Sequence, residues 1–545
     1  MAKPVRYTPE LFALYRKLGY WKEERISDYW DRNARAFPDR EALVDSRTRL
    51  TWAQAKLWID RVALSLHELG FKKDDMLAVQ LPNCVELVLL RVATEKISVL
   101  CAPVLRTYRH KEMEYILGRL GASGVVIPWR YRSFDYFQMV QEIKPALPRL
   151  KHIVAVWDDI PPGAISFSSM VADPIETRYP ADFLQKTSCP TDEYSLVLTT
   201  SGTTGLPKFV EHPMASRLYI GKVYVDSWHL TGDDVMGLLG PAATGPNNAT
   251  YCSAPLVGAK VVMLEHFEAE AALRLIEKEK ITFAGFVPAQ LALLLQHPAL
   301  GKYDLSSLKV VSCMGSALSY QLGVEVEAKL GCTIVQAYGS VDAGGSMMHF
   351  IDDPQGVRFL TVGHLMPGVE VKLVDDDGKE VPKGKVGEVC VRGPTFVSGY
   401  FRDEVATSKV WSSDGWYQMG DLGRLGDNGE VILVGRKKDL IIRGGQNIYP
   451  VEIENLLVVH PKVSSVAVVA MPDPVMGEKA CAFVVPAPGA TFTFDEMVSF
   501  LREKNIALFK IPERLELIDS FPMVAADQKV DRKALAKIVQ DKLAK

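Results

Sequence analysis

The sequence predicts an α/β fold with a large amino-terminal domain of helix-covered sheets and a small β-barrel-like part, followed by a small α+β domain. Short β-branched runs alternate with helical patterns through most of the chain, and such alternation predicts sheets with helices on both faces. With 545 residues, the chain exceeds the size at which one core stops growing, so we expect at least two domains. After about residue 365, short strands joined by Asp/Gly turns replace this alternation.

The elements of the large domain follow from local periodicity. Apolar runs predict buried strands at 76–82, 123–128, 194–202, 260–264, 283–287, 309–315 and 333–339. Between them, helical spacing is clear over 59–69, where one face carries Ile59, Val62, Ala63, Leu66 and Leu69. Antiparallel strands are predicted within 369–381 and 386–393.

The last hundred or so residues have their own α+β pattern. It comprises a helix at 450–459, strands at 464–471 and 480–485, and helices at 494–503 and 532–543. Thr493 and Glu496 have the spacing of a capping box, which supports a helix start at 494. Lys437 and Lys438 interrupt the preceding strand, so we place the boundary there, between domains of residues 1–437 and 438–545.

Composition narrows the class of protein. Hydrophobic residues make up 48% and charged residues 24%, as in ordinary globular proteins, and the net charge of −3 argues against a nucleic-acid partner. Neither a signal peptide nor a bilayer-spanning run is present, so we expect a cytoplasmic protein without stable membrane association. The eight cysteines include no C-x-x-C pair, which favours buried reduced thiols.

The stretch "LTTSGTTGLPKFVEH" (198–212) raises the question of nucleotide binding. A Gly/Ser/Thr loop after a strand can wrap its amides around a phosphate, with hydroxyls and a lysine adding donors. It is not a Walker A motif, because Pro207 stands before Lys208 and breaks the required spacing. On local chemistry alone, a polar turn is the more common explanation.

Further blocks in the same order resemble the adenylate-forming superfamily of acyl-CoA synthetases, luciferases and peptide-synthetase adenylation domains. The matching stretches are "VPAQLALLL" (287–295), "CMGSALS" (313–319), "QAYGSVDAG" (336–344), "WYQMGDLG" (416–423), "GRKKDLIIRGGQNIYPVEIE" (435–454) and "FPMVAADQKVDRKAL" (521–535). "YRKLGYWKEE", "LPNCVELVLL", "RSFDYFQMV" and "RGPTFVSGYF" are similar to the aryl-acid branch, whose best-known members activate dihydroxybenzoate.

The resemblance implies a role for each matched position. Catalysis would rest on Lys529, Lys208 and Thr204, and Asp421 would hold the ribose with Arg436 nearby. Tyr338 would stack on adenine, and Asp342 would ligate Mg²⁺. The full set of implied nucleotide-binding residues is Thr200, Ser201, Gly202, Thr203, Thr204, Gly205, Lys208, Gly315, Ser316, Ala337, Tyr338, Gly339, Asp421, Arg436 and Lys529.

Family members rotate a mobile carboxy-terminal domain between two half-reactions. By resemblance, Lys438 would be the hinge, and Gly444 and Gly445 would line the tunnel for the coenzyme A thiol. A plain hairpin turn at Gly444–Gly445 is compatible with that role. In isolation, Asp421 would be interpreted as a turn aspartate and Lys529 as a solvated lysine; the ordered blocks argue against both.

Some positions depart from the family pattern. Val341 and Asp342 stand where Thr-Glu is usual, so the threonine donor to the α-phosphate is lost and the magnesium ligand is one methylene shorter. The terminal block has one extra residue, Gln528, before Lys529. In "GPAATGPNNAT" (240–250), Thr244 replaces a histidine, and Gly245 replaces the asparagine that reads a 2-hydroxyl.

A pocket without that asparagine loses its bias toward a hydroxylated ring. We therefore expect an unhydroxylated ring acid, benzoate-like or alicyclic, or a medium-chain or branched aliphatic acid. The candidate pocket walls are Thr244, Gly245, Asn248, Gly315, Val341 and Ala343.

The leading prediction is an AMP-forming carboxylate–CoA ligase that uses ATP, Mg²⁺ and coenzyme A, as a monomer or homodimer. An aryl-acid–AMP ligase that loads a carrier protein is the alternative. A non-catalytic nucleotide-binding relative is a third hypothesis, based on the departures above, and a luciferase-type oxygenase is compatible with the fold alone. The sequence leaves the acid, the acceptor and the oligomeric state open.

Overall fold

The computed structural model describes residues 6–157, 160–200, 207–240, 245–316, 318–426, 429–524 and 529–543, with backbone only at 245–249, 524 and 529. The α-helices of these residues are α1 (Pro9–Lys17), α2 (Ile26–Ala36), α3 (Trp52–Glu68), α4 (Val85–Lys96), α5 (His110–Leu120), α6 (Tyr136–Ile143), α7 (Phe167–Ala172), α8 (Phe183–Thr187), α9 (Met214–Ser227), α10 (Gly245–Val257), α11 (Ala269–Glu279), α12 (Pro288–Gln296), α13 (Tyr320–Leu330), α14 (Gln355–Leu360), α15 (Glu404–Val410), α16 (Pro450–Leu457), α17 (Phe494–Glu503) and α18 (Arg532–Leu543).

The strands are β1 (Glu41–Val44), β2 (Arg49–Thr51), β3 (Met76–Val79), β4 (Leu100–Pro103), β5 (Gly124–Pro128), β6 (Arg130–Tyr131), β7 (Phe134–Asp135), β8 (His152–Val156), β9 (Ile165–Ser166), β10 (Tyr194–Thr199), β11 (Phe209–Pro213), β12 (Val235–Leu238), β13 (Lys260–Met263), β14 (Phe283–Phe286), β15 (Val310–Cys313), β16 (Thr333–Ser340), β17 (Gly344–Met348), β18 (His364–Leu365), β19 (Glu370–Val374), β20 (Gly387–Arg392), β21 (Gly399–Tyr400), β22 (Tyr417–Leu425), β23 (Val431–Arg436), β24 (Ile441–Arg443), β25 (Gln446–Ile448), β26 (Val463–Asp473), β27 (Gly477–Pro486), β28 (Arg514–Leu517), β29 (Met523–Val524) and β30 (Lys529–Val530).

Two large sheets form the amino-terminal domain. One has the order β21-β11-β10-β4-β3-β5-β8-β9 and the other β18-β17-β16-β15-β14-β12-β13-β1-β2. Their central strands pair in parallel. A parallel strand requires a crossover connection, and helices fill that role here, as the strand–helix alternation predicted.

Alternate residues of one strand show that both faces of the first sheet are covered. Leu77 of β3 belongs to the hydrophobic core shared with the second sheet, whereas Met76 and Ala78 belong to a separate core on the other face. The second sheet repeats this arrangement, with Val261 in the shared core and Val262 in a third core. The period of two along each strand thus separates three apolar layers.

The small sheet with the order β19-β20-β22-β23 follows the two large ones, and the carboxy-terminal sheet has the order β25-β24-β27-β26 with β28 beside β27. On one face of the carboxy-terminal sheet pack α16 and α17, through residues such as Ile453 and Met497. On the other packs α18, through Leu535 and Val539. The α/β fold class with a smaller α+β domain is confirmed.

The structure also refines the predicted elements. The helix recognised over 59–69 begins earlier, at Trp52, where Thr51 and Gln54 form a capping box. The predicted capping box of Thr493 and Glu496 is present at the start of α17. The helix expected at 450–459 ends at Leu457. All eight cysteines are buried and free, as expected.

No helix in the described part of the chain combines the length and the apolar character that a bilayer crossing requires.

Candidate active site

Two hydrogen bonds close the base of the loop that follows β10. The Thr200 amide donates to the Lys208 carbonyl oxygen at 2.9 Å, and the Lys208 amide donates to Thr200 Oγ1 at 3.1 Å. The flanking strands β10 and β11 pair antiparallel, so the loop leaves and re-enters the sheet at one point. The predicted phosphate ligands between these two residues lie outside the described residues: Ser201, Gly202, Thr203, Thr204 and Gly205.

Tyr400 connects the predicted phosphate-binding lysine to the predicted magnesium ligand. The Lys208 Nζ atom lies 4.4 Å from the centroid of the Tyr400 ring, within the range of a cation–π contact. The Tyr400 hydroxyl donates to Asp342 Oδ2 at 2.8 Å. Tyr400 reaches this position because β21 pairs antiparallel with β11, where Val210 is its partner in register.

Tyr417 joins the same cluster from β22. Burial, followed by the Asp342 carboxylate and Tyr400, raises the pKa of Tyr417 well above its ordinary value. Burial and Asp342 likewise raise the pKa of Tyr400. Both phenols therefore remain protonated at neutral pH and can act as hydrogen-bond donors. Neither tyrosine is predicted as a site residue from the sequence, because their proximity to Asp342 depends on strand pairing and not on a local motif.

The donor set around Asp342 fits a magnesium ion that is bound jointly with a nucleotide. Mg²⁺ in such sites usually keeps several waters and takes one or two carboxylates together with substrate phosphates. Across the described residues, no group of three or more His, Cys, Asp or Glu side chains forms a metal cage. The Asp342 carboxylate, connected to Lys208 through Tyr400, is compatible with such a nucleotide-bound ion.

Asp421, Arg436 and Tyr338 form a second polar cluster. Asp421 on β22 is the register partner of Arg436 on β23, and their Oδ1 and Nε atoms are 3.4 Å apart. The Tyr338 hydroxyl, at the end of β16, donates to Asp421 Oδ2 at 2.5 Å. Two oxygens held in this way present a fixed bidentate acceptor, which suits a pair of vicinal hydroxyls. The structure thus places three predicted nucleotide residues together.

Burial dominates the electrostatics of Asp421. Only 14% of its side chain is exposed, and this burial raises the pKa of its carboxyl group, while the Tyr338 hydroxyl and the Arg436 guanidinium oppose the rise. Burial and the Asp421 charge raise the pKa of Tyr338, which stays a donor. Ionisation of Asp421 therefore costs free energy in the folded state. A buried carboxylate of this kind argues against the plain turn aspartate considered from sequence alone.

The predicted adenine-site residues lie at one edge of the second sheet. β15 and β16 are parallel neighbours with Cys313 opposite Gln336, so the segment after β15 and the end of β16 reach the same edge. These residues are Gly315, Ser316, Ala337, Tyr338 and Gly339. Gly339 has no room for a side chain, since a Cβ there would lie 2.1 Å from the Gly344 carbonyl oxygen. The tight β16–β17 hairpin therefore requires glycine.

The predicted acid-pocket residues are only partly described. Val341 and Ala343 occupy the turn between β16 and β17, with Val341 half-buried and Ala343 fully buried. Gly245 begins α10 and Asn248 lies in its first turn, with backbone described only, whereas Thr244 lies outside the described residues. No contact of the described side chains joins these positions and Gly315 into one pocket, so their role stays a prediction.

Neighbouring residues of the predicted hinge form ion pairs with different parts of the chain. Lys437 Nζ pairs with Glu388 of β20 at 3.0 Å, whereas Asp439 Oδ2 lies 3.9 Å from Arg532 Nε of α18. Lys438 stands between them. Partial burial, followed by the charge of Arg436, lowers its pKa. The chain thus changes its partners within one 3₁₀ turn, residues 437–439.

Gly444 and Gly445 form the two-residue turn of the β24–β25 hairpin, with φ of +55° and +82°. Both values favour glycine, and the Gly444 amide donates to the Met476 carbonyl oxygen at 2.8 Å. The hairpin interpretation is confirmed, and the thiol-tunnel role stays a prediction. Lys529 lies in β30, opposite Val524, and its side chain is outside the described set, so its catalytic role also stays a prediction.

Comparison with known proteins agrees with this geometry. A family model described as "AMP-binding enzyme" matches residues 30–401, and one described as "AMP-binding enzyme C-terminal domain" matches residues 452–527. The medium-chain fatty-acid–CoA ligase of Escherichia coli (strain K12) is 32% identical, covering 100% of this chain and 95% of the relative. The 2,3-dihydroxybenzoate-AMP ligase of Bacillus subtilis (strain 168) is 31% identical, covering 98% of each.

Among solved structures, that of the anthranilate CoA ligase AuaEII in complex with anthranoyl-AMP superimposes with a TM-score of 0.86. The alignment covers 96% of this chain and 98% of the other, at 24% identity. That likeness supports the two-part fold.

Proposed function

The chain belongs to the AMP-binding enzyme family, and from that premise we propose that it activates an unhydroxylated ring acid or a medium-chain acid and transfers the acyl group to coenzyme A. Members of this family use ATP to form an acyl-adenylate, and this chain is an acid–thiol ligase of the AMP-forming type. The proposal concerns the acid, the acceptor and the roles of individual residues.

Two polar clusters support the adenylation step: Lys208, Tyr400 and Asp342 at the base of the phosphate loop, and Tyr338, Asp421 and Arg436. The carboxylate of the acid attacks the α-phosphate of ATP, and pyrophosphate leaves. This transfer needs positioning and charge neutralisation more than covalent help. In our proposal Asp421 accepts both ribose hydroxyls, and Lys208 neutralises the departing phosphates. Bound Mg²⁺ would neutralise phosphate charge, and Asp342, oriented by Tyr400, would contribute its carboxylate to hold it.

The ion pairs around Lys438 support a boundary between residues 437 and 438. Lys437 is held by the small sheet through Glu388, and Asp439 by the carboxy-terminal domain through Arg532. A rotation about Lys438 leaves both of these pairs intact. We propose that such a rotation exchanges Lys529, which would bridge the acid and the α-phosphate, for the Gly444–Gly445 hairpin, which would admit the thiol.

Two features support coenzyme A over a carrier protein. The relative with 32% identity over the whole chain is named a fatty-acid–CoA ligase. In addition, the segments that follow the carboxyl ends of β4, β5 and β13 form an arginine-rich surface. There Arg106 Nη2 is 2.7 Å from His266 Nδ1, and its guanidinium carbon is 5.8 Å from the Tyr131 ring centroid. Arg132, at the tip of the β6–β7 hairpin, leaves 54% of its side chain exposed.

That surface suits the nucleotide end of coenzyme A. Arg106 follows β4, and β4 runs parallel to β10. The carboxyl end of β4 therefore lies at the same edge of the sheet as the phosphate loop. Guanidinium groups bind phosphates through several donors, and an aromatic ring can stack on a base. A carrier-bound phosphopantetheine has no adenosine 3′,5′-bisphosphate, so it could not use these groups. We further propose a cytoplasmic monomer or homodimer, which the eight buried free cysteines support.

A pyrophosphate-release screen tests the proposal. It covers benzoate, cyclohexane- and cyclohexene-carboxylates, hydroxybenzoates and aliphatic acids of medium length, each with and without coenzyme A. We expect benzoate or an alicyclic acid to exceed salicylate by about tenfold or more in kcat/KM. Equal turnover of salicylate and benzoate would contradict the assignment of the acid, and a thioester with a holo-carrier protein but not with coenzyme A would favour the alternative acceptor.

A further inference from the structure

A small cavity lies between α4, α9 and α10. Its lining includes Arg91 and Glu95 of α4, Cys101 of β4, Leu196 of β10, Arg217 of α9 and Tyr251 of α10. The volume of the cavity is about 20 Å³. A space of that size holds one small occupant.

Two guanidinium groups converge on this cavity. Arg91 is 4% exposed, and its guanidinium carbon lies 4.2 Å from the Tyr251 ring centroid. Arg217 Nη2 donates to Cys252 Sγ at 3.4 Å, while its Nε atom is buried and has no hydrogen-bond partner among the described residues. No carboxylate of the described residues forms an ion pair with Arg217. The two side chains are close enough for the Arg217 charge to contribute to the lowered pKa of Arg91, after burial.

Glu95 contributes a carboxyl group to the described lining of the cavity. Its Oε1 accepts the Ser27 amide at 2.8 Å, and burial raises its pKa to about 7. Burial therefore disfavours the ionised form of this carboxyl group. His212, on β11, is 3% exposed; burial, followed by the charges of Arg217 and Arg91, lowers its pKa, so it is neutral.

His212 also provides a second unsatisfied donor or acceptor in this region. Its Nε2 atom is buried and has no hydrogen-bond partner among the described residues. Buried polar atoms without partners are rare in folded proteins, and a buried charge is costly unless an opposite charge accompanies it. Arg217 Nε and His212 Nε2 are both buried polar atoms without a partner among the described residues. His212 lies just before α9, and Arg217 lies in its first turn.

We propose that the cavity is a binding site for one small monoanion, a halide or a carboxylate of the size of formate, held by the guanidinium groups of Arg91 and Arg217. The anion satisfies the Arg217 Nε donor and offsets the buried positive charge. By joining α4, α9 and α10, it would fix the helix α10, whose first turn carries Gly245 and Asn248 of the predicted acid pocket. The anion itself takes no part in the reaction that the protein catalyses.

Thermal unfolding of the full chain tests the proposal. Tm is measured at constant ionic strength while chloride or formate replaces gluconate. We expect chloride, formate or both to raise Tm by about 2 °C or more, since a ligand that binds only the folded state stabilises it. Arg217→Gln should lose that rise. Arg178→Gln is the matched control, because Arg178 is a half-exposed surface arginine paired with Asp173 and Glu68, and it should keep the rise.

A crystal of the wild-type chain grown in bromide gives an independent readout that needs no variant. An anomalous bromide peak beside Arg217 would confirm a halide site. A formate-shaped density at the same place, with a formate-specific Tm rise, would confirm the carboxylate source. A water in the cavity under both conditions, with no anion-specific change in Tm, would overturn the proposal. The proposed ligase activity is untouched by that result, since neither readout involves the reaction.

Discussion

Asp421 and Tyr338 come from strands of different sheets, yet the Tyr338 hydroxyl donates to Asp421 Oδ2 at 2.5 Å. Arg436 reaches the other carboxylate oxygen across the β22–β23 ladder. This arrangement joins the small sheet to the second large sheet at the predicted ribose position. The predictions for Asp421 and Tyr338 depend on it.

Asp421→Asn should separate activity from stability. Loss of the charged acceptor for the ribose hydroxyls should lower kcat/KM for ATP by about 10- to 100-fold, as expected for hydrogen bonds to a charged group. The fold should not weaken, because burial raises the pKa of Asp421 and the ionised carboxylate is a cost to the native state. Pyrophosphate exchange and Tm measured on both proteins check this.

The pH dependence of that difference has a definite sign. A carboxyl whose pKa is raised on folding binds its proton more tightly in the native state, so its ionisation destabilises the fold as pH rises through the raised pKa. The Tm of Asp421→Asn should therefore match that of wild type at acidic pH and equal or exceed it at neutral pH. A lower Tm at neutral pH would contradict the assignment of burial as the dominant effect. Asp414→Asn, at an exposed aspartate, serves as the control.

Tyr338→Phe should move the acid limb of adenylation to higher pH. The Tyr338 hydroxyl stabilises ionised Asp421, so its removal raises the pKa of that carboxyl further. In its proposed role, Asp421 accepts the ribose hydroxyls in the ionised form. Pyrophosphate exchange measured across pH should show the limb displaced upward while the rate at high pH is less affected. An unshifted limb with an unchanged rate would indicate that Tyr338 acts only as a stacking surface, because phenylalanine keeps the ring.

Substitution of Tyr400 can distinguish its ring from its hydroxyl. Tyr400→Phe keeps the surface under Lys208 Nζ but removes the hydrogen bond to Asp342, so we expect a higher Mg²⁺ requirement and about tenfold lower adenylation at limiting Mg²⁺. Tyr400→Leu also removes the cation–π contact, worth about 0.5–2 kcal/mol, and should reduce the rate further even at saturating Mg²⁺. Indistinguishable variants would show that the ring does not position Lys208.

The two half-reactions should respond oppositely to changes in the carboxy-terminal domain. Lys529→Ala should abolish adenylation and largely spare thioester formation from supplied acyl-adenylate, because its proposed role is confined to the first step. Lys438→Pro should do the reverse, because it restricts the proposed hinge. Pyrophosphate exchange and single-turnover thioester formation measure the two steps. Equal losses in both steps for Lys529→Ala would mean that the extra residue before this lysine has displaced the catalytic position.

Arg132→Ala should raise KM for coenzyme A several-fold without affecting pyrophosphate exchange, since its guanidinium is exposed at the surface proposed for the nucleotide end. Against dephospho-coenzyme A, wild type and variant should differ less. Arg178→Ala is the control for a surface arginine elsewhere. If wild type uses coenzyme A and dephospho-coenzyme A equally well, this surface has no part in binding, although the ligase assignment stands.

Much of the fold could be predicted from the sequence, because the signals for these helices and strands are local. The strands at 124–128 and 310–313 are apolar runs bounded by polar residues, and the capping box of Thr493 and Glu496 fixes the start of α17. The helix recognised over 59–69 is longer in the structure. Its first turns depend on the cap at Thr51 and on packing, and not on the apolar face alone.

Site residues that stand in a local sequence motif were predictable from the sequence. Site residues that are brought together by strand pairing were not. Asp421 and Lys208 stand in recognisable blocks, and the structure places them beside Tyr338 and Tyr400 respectively. Tyr400 and Tyr417 were missed, because their contact with Asp342 arises from β21 on β11 and from the long β22 strand. Such contacts join segments far apart in the chain, and no local period reports them.

Thioester formation is the decisive assay for the proposed function: the purified chain is incubated with ATP, Mg²⁺, coenzyme A and one acid at a time, and the products are identified by mass spectrometry. We expect an acyl-CoA, together with AMP and pyrophosphate, from a benzoate-like, alicyclic or medium-chain acid, and only trace product from Asp421→Asn under limiting ATP. ATP binding without acid-dependent pyrophosphate release from any acid in the screen would contradict the proposed function and would favour a non-catalytic relative.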